Sequence, residues 1–385
     1  MGCPMFDKKL LKNIDYGLII VVIAIFILGV IIISSATNVI DLTNKKAFDE
    51  IYDEIDMTRQ VKIQIIAFII GSIVIIFILG IDYNNFGGIY KTIYVLSILL
   101  LLSVYIPGLG VVRGGARSWI QLGPIDIQTS EIAKLGYILS FAKYLESRYE
   151  KLDTLGDLIG PILFTAPFII LLLKQPDLGS ALVFMIIAFG MMFIAGINMK
   201  IVMYGGIAGI SSLPIFYKFL EKHQRERIDA FLNPSDPTLP GNYHVLQSKI
   251  TIGSGKIWGK GIFKGSYHRR DYLPVQETDF IYAVLGEELG FIGGGILLLL
   301  YSIFLYKMIK ISKNAKDIYG SLIVIGITFM FAFQIFENIG MTMGIMPVTG
   351  VTLPFVSYGG SSLITSMIAL GLVLNISMRK QKIRF

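Results

Sequence analysis

Asp279 is the residue at which this sequence most clearly offers chemistry. It closes a polar interval from Lys218 to Phe280 that ends Leu273-Pro274-Val275-Gln276-Glu277-Thr278-Asp279-Phe280, and an apolar run follows at once. A carboxylate at such a boundary is partly stripped of water, which raises its pKa toward the range a general base needs. The plain alternative is a helix N-cap. The interval carries all three histidines, His223, His244 and His268, and is rich in Lys and Arg. An anionic ligand is the simplest reason for that charge; a solvated surface is the bland one. Glu287 and Glu288 lie about two turns deeper, placed to line a cavity or to pair with cations.

Further candidates stand at other boundaries. Gly114-Gly115-Ala116-Arg117-Ser118-Trp119-Ile120 sets a cation beside an indole; the ring either stacks on a sugar or anchors at a membrane interface. Glu131 and Lys134 are i,i+3 partners that open an apolar run, as site residues or as a neutralised packing pair. Lys174-Gln175-Pro176-Asp177-Leu178-Gly179 reads first as a turn in which Asp177 caps the next helix. The run Gly253 to Gly261 fails the phosphate-loop pattern but still offers backbone N–H groups. Glu337 and Asn338 precede the stretch Met346 to Ser362, whose two prolines and small polar residues imply broken backbone. Its Gly359-Gly360-Ser361-Ser362 helix start suits an anion, or close helix packing.

The elements that position these groups are membrane helices. Of 385 residues 54% are hydrophobic and 16% charged, with mean hydropathy +0.69. A soluble chain carries roughly a quarter charged residues. The apolar stretches run continuously, which excludes a β-barrel. Lone Cys3 excludes a disulfide framework and a cysteine metal site. The first apolar run exceeds a signal-peptide core. The reading is an all-α polytopic membrane protein in a single domain, 1–385, with about ten spans near 14–35, 61–80, 88–106, 129–146, 157–173, 178–196, 200–218, 280–306, 318–340 and 358–378. Lys8, Lys9, Lys12, Lys307, Lys310, Lys313, Lys316, Arg379, Lys380, Lys382 and Arg384 put both termini in the cytoplasm. The acid-rich segment 36–60 and a large loop, 219–279 between spans seven and eight, then face outward. No nucleic-acid partner is expected.

Taken together the motifs resemble the SEDS family of bacteria (shape, elongation, division and sporulation), almost end to end. The resemblance is carried by Gly115-Ala116-Arg117-Ser118-Trp119, Ser130-Glu131-Ile132-Ala133-Lys134, Gln175-Pro176-Asp177-Leu178-Gly179, Phe231-Leu232-Asn233-Pro234 and Tyr243-His244-Val245-Leu246-Gln247-Ser248. Thr278-Asp279-Phe280 and Leu353-Pro354-Phe355-Val356-Ser357-Tyr358-Gly359-Gly360-Ser361-Ser362 continue it. Asn338-Ile339-Gly340-Met341-Thr342 and the short tails favour the elongation members. The resemblance implies a peptidoglycan glycosyltransferase that polymerises lipid II at the outer face of the plasma membrane. It also implies a class B penicillin-binding protein as partner, alongside other cell-elongation proteins. Asp279 matches the family's essential carboxylate, and Trp119, Glu131 and Lys134 match residues that line or support its cavity. The sequence departs from the pattern at Val275 and Glu277, where the family carries Glu and His, and the added acid pushes the Asp279 pKa further up.

The chemistry expected is an inverting transfer in which Asp279 deprotonates an acceptor hydroxyl and a pyrophosphate leaves. Arg117, Lys134, Arg225, Arg227, Lys260 and the Gly359–Ser362 helix start, with Ser361 and Ser362, are the candidates to receive that charge. A divalent cation, Mg or Mn, is compatible with the pyrophosphate, but no ligand cluster is visible in the sequence. The rivals are a lipid II flippase, which needs polar groups near the midplane, and a non-catalytic scaffold for the transpeptidase.

Overall fold

The computed structural model describes residues 12–37, 58–113, 115–122, 125–220, 222–236, 238–239, 241–266 and 275–380. Most of the acid-rich segment, the outermost basic tail residues, Gly114, His268 and Leu273-Pro274 lie outside these residues. In chain order the helices are α1 (Tyr16–Thr37), α2 (Arg59–Gly80), α3 (Tyr83–Gly88), α4 (Tyr90–Leu102), α5 (Thr129–Glu146), α6 (Leu155–Lys174) and α7 (Leu178–Ile194). They continue with α8 (Met199–Phe219), α9 (Lys222–Leu232), α10 (Asn242–Ser254), α11 (Ile281–Lys313), α12 (Ile318–Thr342) and α13 (Gly360–Met378). Every expected apolar run coincides with a helix. Six of them, α1, α2, α6, α11, α12 and α13, are long and apolar enough to cross a bilayer; α7 and the α4 segment are apolar but shorter.

The bundle is built around α12 and α13, which are buried along most of their length. Helix α12 packs on α11, α7 and α5, and α13 lies along α2. Helix α2 turns Ile66, Ile69, Ile73, Ile76 and Phe77 outward, and α6 does the same with Ile159, Ile162 and Leu163. Those faces suit acyl chains, because no hydrophobic penalty attaches to an apolar surface in lipid. Close packing inside needs small residues: a Cβ on Gly29 of α1 would stand 2.8 Å from the Val356 Cα.

The sequence reading did not include a sheet, but the structure has a small one. β1 (Gly110–Arg113), β2 (Ala116–Leu122) and β3 (Ile125–Gln128) form an antiparallel meander that leads into α5. It carries Arg117 and Trp119 and sets Trp119 opposite Gln128.

Helix α11 is kinked at Gly290, whose φ of 65° and ψ of −161° interrupt the helical ladder. The Gly-rich run repairs the break. Lys260 N and Gly261 N donate to the carbonyls of Glu287 and Glu288, and Phe291 N and Ile292 N donate to those of Lys256 and Ile257. Only glycine fits here: a Cβ on Gly259 would lie 2.1 Å from the Glu288 carbonyl oxygen, and one on Gly290 2.3 Å from the Gly259 nitrogen. Buried backbone groups require partners, and this run supplies them to the kink. Its Lys260 and Gly261 N–H groups are therefore not offered to phosphate.

Candidate functional site

The turn that carries Asp279 is fixed by its backbone. Consecutive carbonyls each accept a hydrogen bond from the broken segment or from α12. Tyr358 N donates to Glu277 O at 2.9 Å, Ser357 Oγ to Thr278 O at 2.6 Å, and Asn338 Nδ2 to Asp279 O at 3.1 Å. Asn338 Nδ2 also reaches Val351 O at 2.8 Å, and Gln276 Nε2 ties the turn to Ala36 O of α1 at 2.8 Å. The turn is thus held without using the Asp279 carboxylate. The N-cap of α11 is Phe280, with no side-chain cap bond, so the capping role weighed for Asp279 is not found.

The carboxyl sits partly buried against Gly350, whose built Cβ would stand 3.5 Å from Oδ2. Burial pushes its pKa up to about 6; the Thr278 hydroxyl and the Arg227 guanidinium act downward, and Glu277 acts upward. Arg227, on α9, also donates from Nη1 to Thr349 O at 3.5 Å. A partly buried carboxylate with a pKa of about 6 and a cation within electrostatic reach is equipped for proton abstraction.

A second polar group lies on the other side of Thr349. Lys134 Nζ and Glu131 Oε1 pair at 2.7 Å, both buried, at the start of α5. Glu337 of α12 is fully buried and within electrostatic reach of Lys134 and Asp177. Asp177 caps α7 through Ser180 N at 3.0 Å and accepts from Gln128 Nε2 at 3.3 Å. Gln128 N in turn donates to Ser361 Oγ at 3.4 Å, while Ser362 Oγ and Thr352 Oγ1 are 2.8 Å apart. The helix start of α13 is therefore joined to the sheet that holds Trp119.

Two candidates stand apart from this group. Arg225 donates to Leu220 O at 2.7 Å and Lys218 O at 3.0 Å, closing the end of α8. Lys260 pairs with fully buried Glu287 at 2.6 Å and donates to Ser266 Oγ at 2.7 Å. Arg117 is exposed on β2, and its backbone N donates to Gln175 O at 3.2 Å. Glu288 accepts from Ser35 Oγ and from Phe263 N. Sequence reasoning missed the clamp by Ser357 and Tyr358, the reach of Thr349, and a cavity of about 340 Å³ between α9, α10 and residues 344–348. Among the described residues no group of three or more His, Cys, Asp or Glu converges that could hold a metal.

The comparisons with known proteins agree with this arrangement. Residues 16–382 match the family model described as cell cycle protein FtsW/RodA/SpoVE. The chain is 37% identical over 366 residues to stage V sporulation protein E of Bacillus subtilis, covering 94% of this chain and 96% of the relative. It is 34% identical over 377 residues to the probable peptidoglycan glycosyltransferase FtsW of Geobacter metallireducens, covering 97% of each. Over 312 residues it is 34% identical to the peptidoglycan glycosyltransferase MrdB of Escherichia coli, covering 81% and 84%. Among solved structures it resembles a chain of a peptidoglycan synthase complex, with TM-score 0.79, 32% identity and coverage of 94% and 97%. It also resembles the rod shape determining protein RodA of Thermus thermophilus, with TM-score 0.69, 30% identity and coverage of 96% and 98%. The chain is a multi-pass helical membrane protein and belongs to the FtsW/RodA/SpoVE family of cell cycle proteins, the SEDS family its motifs resemble.

Proposed function

We propose that this chain is a peptidoglycan glycosyltransferase that joins lipid II units into glycan strands at the outer face of the plasma membrane. Two of the relatives above are named for that activity. The observation that carries the reading is Asp279: a carboxylate held by a backbone clamp, half-ionised at about 6, beside Arg227. Asp279 accepts the proton of the acceptor's GlcNAc 4-hydroxyl. The freed oxygen forms a bond to C1 of the donor's MurNAc from the face opposite the leaving group. The C1–O bond to the diphosphate breaks, its electron pair leaves with the diphosphate, and the configuration at C1 inverts. Positioning and charge stabilisation carry most of the work. A divalent cation, Mg or Mn, would be carried by the substrate's diphosphate.

The outward orientation rests on Lys310, Lys313 and Lys316 at and just beyond the end of α11 and on Lys307, which pairs with Asp15 at 2.9 Å and so brings the start of α1 and the end of α11 to the same side. The synthase complex whose chain it resembles couples polymerization to crosslinking, which supports a transpeptidase of the class B penicillin-binding type as partner. The elongation branch rests on Asn338-Ile339-Gly340-Met341-Thr342; the relatives named for sporulation and for FtsW match the chain at 37% and 34% identity over more of its length than MrdB does at 34%, so restoring rod shape to a depleted strain is its test. The activity itself is tested with the full chain in detergent, where no bilayer separates two sides. Labelled lipid II should become polymer, with more formed when the partner is added. Polymer absent under both conditions would return the chain to the flippase reading.

A further inference from the structure

The cavity between α9, α10 and residues 344–348 is unassigned by the reaction described so far. Its walls are largely apolar, including Phe231, Pro234, Val245 and Val348. Five polar side chains interrupt them: Glu226, Arg227, Asn242, His244 and Lys249. Lys249 makes no ion pair and no side-chain hydrogen bond with the described residues. Its chain passes over Gly344, where a Cβ would stand 2.3 Å from Cε and 2.5 Å from Nζ, and the φ of 71° there also favours glycine. The site thus makes room for an ammonium that pairs with no carboxylate among the described residues. The Nδ1 atom of His244 is buried with no hydrogen-bond partner. Glu226 lies on the same wall, one carboxylate against two cations.

The cavity adjoins Asp279 through shared walls. Arg227 lines it and acts on the Asp279 charge. His244 faces Phe280, the next residue along, with ring centroids 6.3 Å apart. Val348 lines it, and a Cβ built on Gly350, two residues on, would stand 3.5 Å from the carboxylate. We propose that this cavity holds the diphosphate of the donor, with Arg227 and Lys249 on its oxygens, His244 Nδ1 as a further hydrogen-bond partner, and the first isoprene units against the apolar walls.

The assignment rests on the glycosyltransferase reading and makes it more specific. The acceptor's own diphosphate is separated from its reacting hydroxyl by both sugar rings, so a cation-lined space next to the base belongs to the donor. As the C1–O bond breaks, the diphosphate gains the electron pair and a full charge. Two cations already in place stabilise that charge without reorganising. Burial pushes the His244 imidazole below its usual range, so it serves as a neutral hydrogen-bonding ring.

The test measures binding of farnesyl diphosphate, farnesyl monophosphate, inorganic pyrophosphate and farnesol to the full chain in detergent. Farnesyl diphosphate should bind best. Lys249→Met should weaken it about tenfold, the loss of one charge-assisted contact. Lys249→Arg should keep most of the affinity, and Gly344→Ala should lower it by pushing the retained Lys249 ammonium out of position. Lys264→Met, on the exposed turn, is the control, and melting temperatures identify any variant that has unfolded. Asp279→Asn should bind the diphosphate as the wild type does and make no polymer. If Asp279→Asn still polymerises, the base assignment falls and the cavity stands. If Lys249→Met and Gly344→Ala bind farnesyl diphosphate like the wild type, or if farnesol binds equally well, the diphosphate assignment falls.

Discussion

Acidification should switch the enzyme off along a limb that two neighbours move in opposite directions. The Asp279 carboxyl is half-ionised at about 6, and only its charged form accepts a proton. The value of kcat/KM should therefore drop about tenfold between pH 7 and pH 5, with unit slope below pH 6. Arg227 acts downward on this carboxyl and Glu277 upward. A unit charge ~7 Å away, at an effective dielectric of ~40, contributes about 1 kcal/mol, which moves the midpoint by ~0.9 pH unit. Glu277→Gln should carry the limb toward pH 5, and Arg227→Gln toward pH 7, the latter on a lower plateau. The assay is polymer formation from labelled lipid II at subsaturating concentration, buffered from pH 4.5 to 8.5. Substrate ionisation is common to all variants and cancels between them. A limb near pH 4 in every variant, or one that both substitutions move the same way, would refute the assignment of the base.

The same carboxyl weakens the fold. Its pKa is raised above the unfolded value, so the cost is absent below pH 4 and appears as pH rises through 6. At pH 7.5 it amounts to at most about 3 kcal/mol, reduced by partial exposure; Asp279→Asn should melt higher than wild type at pH 7.5 and equally at pH 4. Lys260→Met should destabilise by about 1.5–3 kcal/mol, because buried Glu287 loses a charge-assisted partner while keeping its bond from Ser266 N, and adding Glu287→Gln should recover much of the loss; urea melts of the four chains would show this coupling. Asn338→Leu frees the Asp279 carbonyl, and a shift of about 1 Å in the turn costs up to ~100-fold, so kcat should fall far more than KM changes. Gly290→Ala forces a residue with a Cβ into φ 65° against the Gly259 nitrogen, and thermal melting should show it as the least stable of these variants.

Much of this was legible in the apolar runs. Helices near 61–80, 129–146 and 318–340 lie where hydropathy puts them, because a membrane helix must be continuously apolar and hydrogen-bonds within itself. Asp279 was legible as the last polar residue before such a run. Its clamp was not: Asn338, Ser357 and Tyr358 are 59 to 81 residues away from the carbonyls they hold, and no local pattern records that distance. Lys260 looked like a ligand for phosphate because its partner Glu287 was hidden 27 residues downstream. The glycines from 253 to 261 fail the phosphate-loop pattern and left only their backbone N–H groups to consider; these serve a kink at Gly290, a residue that in sequence is only one more glycine in an apolar run. The sheet from Gly110 to Gln128 was signalled by Gly114-Gly115 and Gly123-Pro124 between short β-branched stretches, but each strand is too brief to outweigh the surrounding hydropathy.

One measurement bears on the central claim without intermediaries. Purified Asp279→Ala and wild-type protein, matched for melting temperature and given the same labelled lipid II, are compared for glycan strands on a gel. The account predicts strands from the wild type and unreacted lipid II from the variant. Strands of equal yield from both would mean that the hydroxyl proton goes elsewhere and that Asp279 is not the base.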